Sequence, residues 1–191
     1  LDGIGETALV ARYLLDGDVQ DWSRNDLHAT QRGGNARFIE DEQFGRVLEL
    51  GDGAWLEVPG SALAGADNVS VTGWVYLESD AAWQRFFDFG RDATANFFCT
   101  PVGDSEDGGF RARITASGWN NEQGPTAPRI ARGRWVHLAV VLDADRRTLS
   151  IYADGRRVGR AADVSVLLTE VLDAENPEAN HLYFGRSHHE G

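Results

Sequence analysis

Two groups of residues in this sequence have the types and spacing that chemistry needs. The first runs through 83–85 and 111–123. On an extended stretch at 110–116, Arg111, Arg113 and Thr115 fall on one face and Ala112 and Ile114 on the other, because successive strand side chains alternate. A polar run follows, Trp119, Asn120, Asn121, Glu122 and Gln123, while Trp83 and Arg85 precede another apolar stretch. Rings beside planar hydrogen-bonding groups suit a ligand with apolar C–H faces and many hydroxyls, which is the description of a sugar. Trp83, Arg85, Arg111, Arg113, Thr115, Trp119, Asn121 and Glu122 are therefore the candidate ligand-binding residues. The competing reading is that Trp119 only covers one end of the fold.

The second group is a loop with Asp16, Asp18, Asp21, Asn25 and Asp26. Several hard oxygens in one loop suit a structural calcium ion, and Asp21 and Asn25, with Asp16, are the candidate ligands. The spacing is not that of an EF-hand, which needs a glycine at the sixth loop position and a glutamate at the twelfth. The alternative is an Asx-rich turn that caps its own backbone.

Other reactive residue types lack a partner arrangement. Retaining glycosidases need two carboxyl groups about 5 Å apart on one face. Glu40, Asp41 and Glu42 are contiguous and so point to opposite faces, and Glu170, Asp173 and Glu175 lie in a loop-like run. No Gly-x-Ser-x-Gly, His-Glu-x-x-His or phosphate-cradling glycine loop occurs. Cys99 is the one cysteine and sits in Asn96-Phe97-Phe98-Cys99-Thr100, where a buried small hydrophobe is expected. His137 reads as a hydrogen-bonded packing residue. Adjacent His188 and His189 read as a frayed terminus, since neighbours on an extended chain point apart. Asn68-Val69-Ser70 fits a glycosylation acceptor, a triplet also expected by chance.

The elements that must hold these residues are strands. Runs of four to eight residues rich in Val, Ile, Thr, Phe, Trp and Tyr alternate with Gly, Asp, Asn and Pro, the pattern of an all-β sandwich. Strands are predicted at 9–14, 36–38, 46–50, 54–58, 69–77, 84–90, 95–100, 110–116, 135–143, 148–153, 156–161 and 181–185. Helical character is confined to a turn or two within 164–175. The dipeptide Asp154-Gly155 suits a type I′ turn, in which both central residues take positive φ, so 135–161 should form a three-stranded meander. Trp55, Trp74 and Trp135 lie within strands and are assigned to the core. The chain has 191 residues and a formal net charge of −12, which disfavours duplex nucleic acid and anionic membranes as partners. No run approaches the length that crosses a bilayer. With no linker or composition shift, 1–191 reads as one domain.

The meander resembles the laminin-G-like, concanavalin-A-like jelly-roll family. Gly133-Arg134-Trp135-Val136-His137-Leu138-Ala139 followed by Leu149-Ser150-Ile151-Tyr152-Ala153-Asp154-Gly155 carries the likeness. Phe44 to Leu50, Trp55 to Pro59 and Val69 to Val75 are similar to that family's first half. Arg85 to Gly90, Asn96 to Pro101 and Phe110 to Thr115 are similar to jelly-roll modules attached to secreted bacterial glycoside hydrolases. The resemblance implies an antiparallel jelly-roll β-sandwich and a structural calcium near the Asp16–Asn25 loop. It also implies a final strand after Tyr183-Phe184-Gly185-Arg186-Ser187 that would pair near 9–14 and that this sequence does not contain. An unpaired edge beside 9–14 would invite association.

These readings converge on an extracellular or secreted, non-catalytic carbohydrate-binding or accessory module of a carbohydrate-active enzyme. Its partners would be a poly- or oligosaccharide and a catalytic domain or another protein chain, with no nucleic acid and no membrane insertion. A structural or protein-interaction module is the alternative of a different class, and a glycoside hydrolase in its own right is the third.

Overall fold

In strand Trp135–Asp143, Val136, Leu138, Val140 and Leu142 are buried, and the residues between them are not. A pleated chain that buries every second side chain must lay one face on a core. The computed structural model describes residues 7–104 and 108–189. In chain order its strands are β1 (Thr30–Arg32), β2 (Asn35–Asp41), β3 (Gly45–Gly51), β4 (Trp55–Val58) and β5 (Val69–Tyr76). Next come β6 (Phe87–Gly90), β7 (Asn96–Thr100), β8 (Phe110–Thr115) and β9 (Thr126–Ala127). The last four are β10 (Trp135–Asp143), β11 (Thr148–Ala153), β12 (Arg156–Ala161) and β13 (His181–Phe184). A short helix, α1 (Leu168–Val171), lies inside the predicted helical stretch. No helix among the described residues is long and apolar enough to cross a membrane.

The strands form a seven-stranded antiparallel sheet, β1-β4-β13-β6-β7-β8-β9, a four-stranded sheet, β12-β11-β10-β5, and the hairpin β2-β3. Inward residues of both larger sheets meet in one hydrophobic cluster: Phe87, Phe97, Phe110 and Ile114 from the first, Leu138, Val140, Leu149 and Ile151 from the second. This is the antiparallel sandwich that the alternation predicts. Cys99 is fully buried within it, and burial pushes its thiol pKa up. The β11–β12 turn places Asp154 and Gly155 at φ 49° and 76°, as a type I′ turn requires.

Two expectations are corrected. Residues 9–14 do not form a strand; Tyr13 makes only an isolated bridge to Asp21. The backbone there finds its partners in side chains, with Arg12 N bonded to Asp21 Oδ1 at 2.8 Å and Asn25 Nδ2 bonded to Leu9 O and Val10 O at 3.0 and 2.8 Å. The edge of the seven-stranded sheet is β1 instead. The strand tryptophans are not core residues either. Trp74 lies on the solvent face at 49% exposure, opposite His137. Trp135 lies on the same face, where Phe44 from the hairpin packs on both rings at 5.2 and 5.0 Å and Asp41 accepts Trp135 Nε1–H at 2.9 Å. Trp55 alternates with buried Leu56 and so faces away from the core, beneath the Arg186 guanidinium. Strand phase set by the aliphatic residues overrides ring size.

Candidate functional site

The outward face of the seven-stranded sheet is polar, yet its centre is buried. The register carries a row across it: Glu57, Tyr183, Asp88, Phe98 and Arg113, from β4 through β13, β6, β7 and β8. Asp88, Asn96, Thr100 and Thr115 on this face have no exposed surface. A buried carboxylate requires compensation. Asp88 accepts Arg85 Nε–H at 3.1 Å and the His188 backbone N–H at 3.1 Å through Oδ2, while Oδ1 lies 2.8 Å from His188 Nδ1. Arg85, 4% exposed in its side chain, lies over the Phe98 ring at 4.3 Å and donates to Trp83 O at 3.1 Å. The His188 imidazole stacks on Tyr183 at 4.8 Å. His188 is thus a buried element of this face and not a frayed end.

At the β7–β8 side the face opens. Arg113 donates through Nη1 to Ala112 O at 3.0 Å and to Pro125 O, and through Nη2 to Thr126 Oγ1 at 2.7 Å. Its Nε lies 3.9 Å from Glu122 Oε2. Burial raises the Glu122 pKa against the opposing pull of Arg113, and burial, then the Arg111 charge, lowers that of Arg113. Arg111 lies over the Trp83 ring at 5.2 Å. Trp83 is held at φ 66° by its N–H bond to Val102 O at 2.8 Å and keeps 45% of its surface exposed. A bulky residue at positive φ is a genuine outlier, and such outliers gather at ligand sites. Trp119, in a tight turn at Trp119–Asn121, is 69% exposed and does not cap the sandwich.

Among the described residues, five buried side-chain nitrogen or oxygen atoms lack a partner: Trp55 Nε1, Asn96 Nδ2 and Oδ1, Arg111 Nε and His188 Nε2. All belong to side chains on or over this one face. Buried polar atoms are nearly always satisfied, so exceptions that share one face mark that face as a place to look for a ligand. At its open side Trp83 meets Arg111 and Arg113 meets Glu122, while Trp119 follows the Thr115 end of β8, away from Arg111. Thr115 is spent on the loop below them, donating to Gly118 O at 2.9 Å, and Asn121 is tied to Ser117 O at 3.1 Å. Arg85 acts from beneath, as a positioning residue. The sequence reading missed Asp88, Asn96 and His188. The clue for the first was legible: one carboxylate inside Phe86-Phe87-Asp88-Phe89 must either be paired or point out of the core.

The acidic loop has a different arrangement. Asp21 is 6% exposed and accepts hydrogen bonds from Arg12 N, Ser23 N, Ser23 Oγ and Leu27 N at 2.7–2.9 Å. Hydrogens of these donors point at the lone pairs a cation would need. Asn25 is turned by its Nδ2 bonds to the backbone, and Asp16 is exposed. No group of three His, Cys, Asp or Glu side chains among the described residues could hold a metal ion. The donor set does not fit calcium; it fits the alternative, a loop that caps its own backbone.

Similar structures share the architecture. Domain 4 of AbnA, a GH43 extracellular arabinanase from Geobacillus stearothermophilus, in complex with arabinotriose, matches at TM-score 0.68 and 18% identity, over 89% of this chain and 79% of that one. The Ruminococcus gnavus IT-sialidase CBM40 bound to α2,3-sialyllactose matches at TM-score 0.52 and 11% identity, over 81% and 78%. An S-layer domain-containing protein from Clostridium thermocellum matches at TM-score 0.52 and 24% identity, over 83% and 75%. No curated protein matches the sequence significantly. At these identities the likeness is one of fold. A family profile matches residues 50–191, and on that match the chain belongs to the Laminin_G_3 family of the concanavalin A-like lectin/glucanases superfamily.

Proposed function

We propose that this chain is a non-catalytic carbohydrate-binding module that holds a glycan on the outward face of its seven-stranded sheet, at the open side lined by Trp83, Arg111, Arg113 and Glu122, with Trp119 beyond the Thr115 end of β8. The observation that carries the reading is that the unpartnered buried polar atoms among the described residues all belong to side chains of that face, with Arg111 among them beside the exposed Trp83 held at positive φ. A sugar would lay its C–H face on an indole and take hydrogen bonds from the guanidinium groups. Neighbouring structures in complex with arabinotriose and with sialyllactose support a glycan as the ligand class. Such a module would serve an extracellular enzyme as its attachment to polysaccharide.

Catalysis has little to work with on this face. Asp88 is fully buried with both oxygens engaged by Arg85 and His188. Glu122 pairs with Arg113 at 3.9 Å rather than standing beside a second carboxylate.

The test is glycan-array screening followed by calorimetry. Trp83→Ala should lower affinity for any bound glycan by tenfold or more with an unchanged circular dichroism spectrum, and Trp119→Ala by a smaller factor. Absence of binding to every glycan, or wild-type affinity in Trp83→Ala, would sink the proposal.

A further inference from the structure

At the open side of the glycan face, two of three guanidinium groups have a carboxylate partner among the described residues. Arg85 is matched by Asp88 at 3.1 Å and Arg113 by Glu122 at 3.9 Å. Arg111 has no carboxylate within ion-pairing distance among the described residues, and its Nε is buried without an acceptor. Of the three guanidinium groups at this side of the face, Arg111 alone lacks an ion pair among the described residues, in a chain whose formal net charge is −12. A half-buried cation without a counter-ion is costly unless something supplies the anion.

Its position is fixed rather than frayed. The guanidinium lies over the Trp83 ring at 5.2 Å on one side. It also packs against Gly103 so closely that a Cβ there would stand 2.6 Å from Arg111 Nη2 and 2.7 Å from Nε. The Trp83 and Gly103 segments are tied together by Trp83 N bonded to Val102 O at 2.8 Å. Thr100 reinforces the tie, its Oγ1 bonded to Gln84 O at 2.6 Å and Val102 O at 2.8 Å. The register sets Thr100 opposite Arg111. A planar fork fixed by contacts with a ring and a glycine can present donors edge-on, the geometry that matches a carboxylate through two parallel bonds.

We propose, building on the glycan-binding reading above, that the ligand is an acidic sugar whose ring carboxylate is gripped by Arg111 beside Trp83. The surrounding acidic surface repels anions in general, so discrimination rests on this single local charge.

Calorimetry with the wild-type protein tests it on matched probes: oligogalacturonate, glucuronate-bearing xylan fragments and sialyllactose, each against its carboxyl-reduced or desialylated counterpart, with neutral arabinan and sulfated oligosaccharides alongside. The acidic form of the bound probe should bind at least tenfold tighter than its neutral counterpart, and affinity should fall as salt rises. Arg111→Gln should abolish that preference, and Arg111→Lys should restore only part of it, because an ammonium lacks the fork. Equal affinity for acidic and carboxyl-reduced forms would overturn the carboxylate while leaving glycan binding intact. Preference for the sulfated series would likewise overturn it in favour of a sulfate ester. Binding to none of the probes or array glycans would overturn both readings.

Discussion

The imidazole of His188 stands 2.8 Å from the carboxylate of Asp88, tying together two residues 100 positions apart in the sequence. Both side chains are essentially buried, at 4% and 0% exposure, and Arg85 completes the cluster from the other side of Asp88. Removing either partner therefore acts on a desolvated charge, not on a surface ion pair.

His188→Ala deletes one bond to a buried carboxylate and should cost about 1.5–3 kcal/mol in urea denaturation. Asp88→Ala strands the Arg85 guanidinium and should cost about 3–5 kcal/mol. Two variants within about 0.5 kcal/mol of wild type, the range of ordinary surface substitutions, would show that residue 188 does not hold this place in solution.

Asp21 gives a pH-dependent stability. Burial pushes its pKa up, but the hydrogen bonds from Ser23, Arg12 and Leu27 together pull it below the ordinary carboxylate range. A folded-state value below the unfolded one means stability that is present above about pH 3.9 and is lost as pH falls through the folded value. Asp21→Asn should cost about 1–3 kcal/mol at pH 7, and the gap to wild type should close in acid. Millimolar calcium should leave the melting temperature of the wild type unchanged, because the carboxylate is already saturated by N–H and O–H donors. A rise at low calcium would reinstate the ion.

Glu122 works in the opposite sense. Burial holds its pKa above the usual carboxylate value, against the attraction of Arg113. The folded protein then binds the proton more tightly than the unfolded chain, so this residue's contribution is most favourable in acid. It declines as pH rises from the ordinary carboxylate value through the raised one. Glu122→Gln should flatten that decline in a series of melts from pH 4 to 7. Parallel curves for the two proteins would refute the assignment.

The order of strands was legible wherever local patterning decides it. The meander β10–β11–β12 follows from alternation and from Asp154-Gly155, and its predicted limits match the observed strands. Pairing across long separations was not legible: β13 sits between β4 and β6, and β1 is too short to leave a pattern. Of the binding face, the Arg111–Arg113 alternation pointed to the right side of β8, with Ala112 and Ile114 buried behind it. The misplacement of Trp74 had a remedy in the sequence itself. Val69, Val71 and Val75 fix the inward phase of β5, which sends residue 74 outward. What no local pattern encodes is that Asp88 and His188 meet, since that contact depends on how residues 185–189 cross the sheet.

Cys99 is the fourth of five residues in β7, opposite Phe87 on one side and Ala112 on the other, with no exposed surface. Alkylating reagents attack the thiolate, and burial suppresses that form here. Modification must then wait until the middle of the sheet separates, an event that belongs to whole-molecule opening rather than to fraying at an edge. The lone sulfur is in effect a stopwatch sealed into the fold, and the rate at which Ellman's reagent or iodoacetamide finds it reads out how often the entire sandwich comes apart.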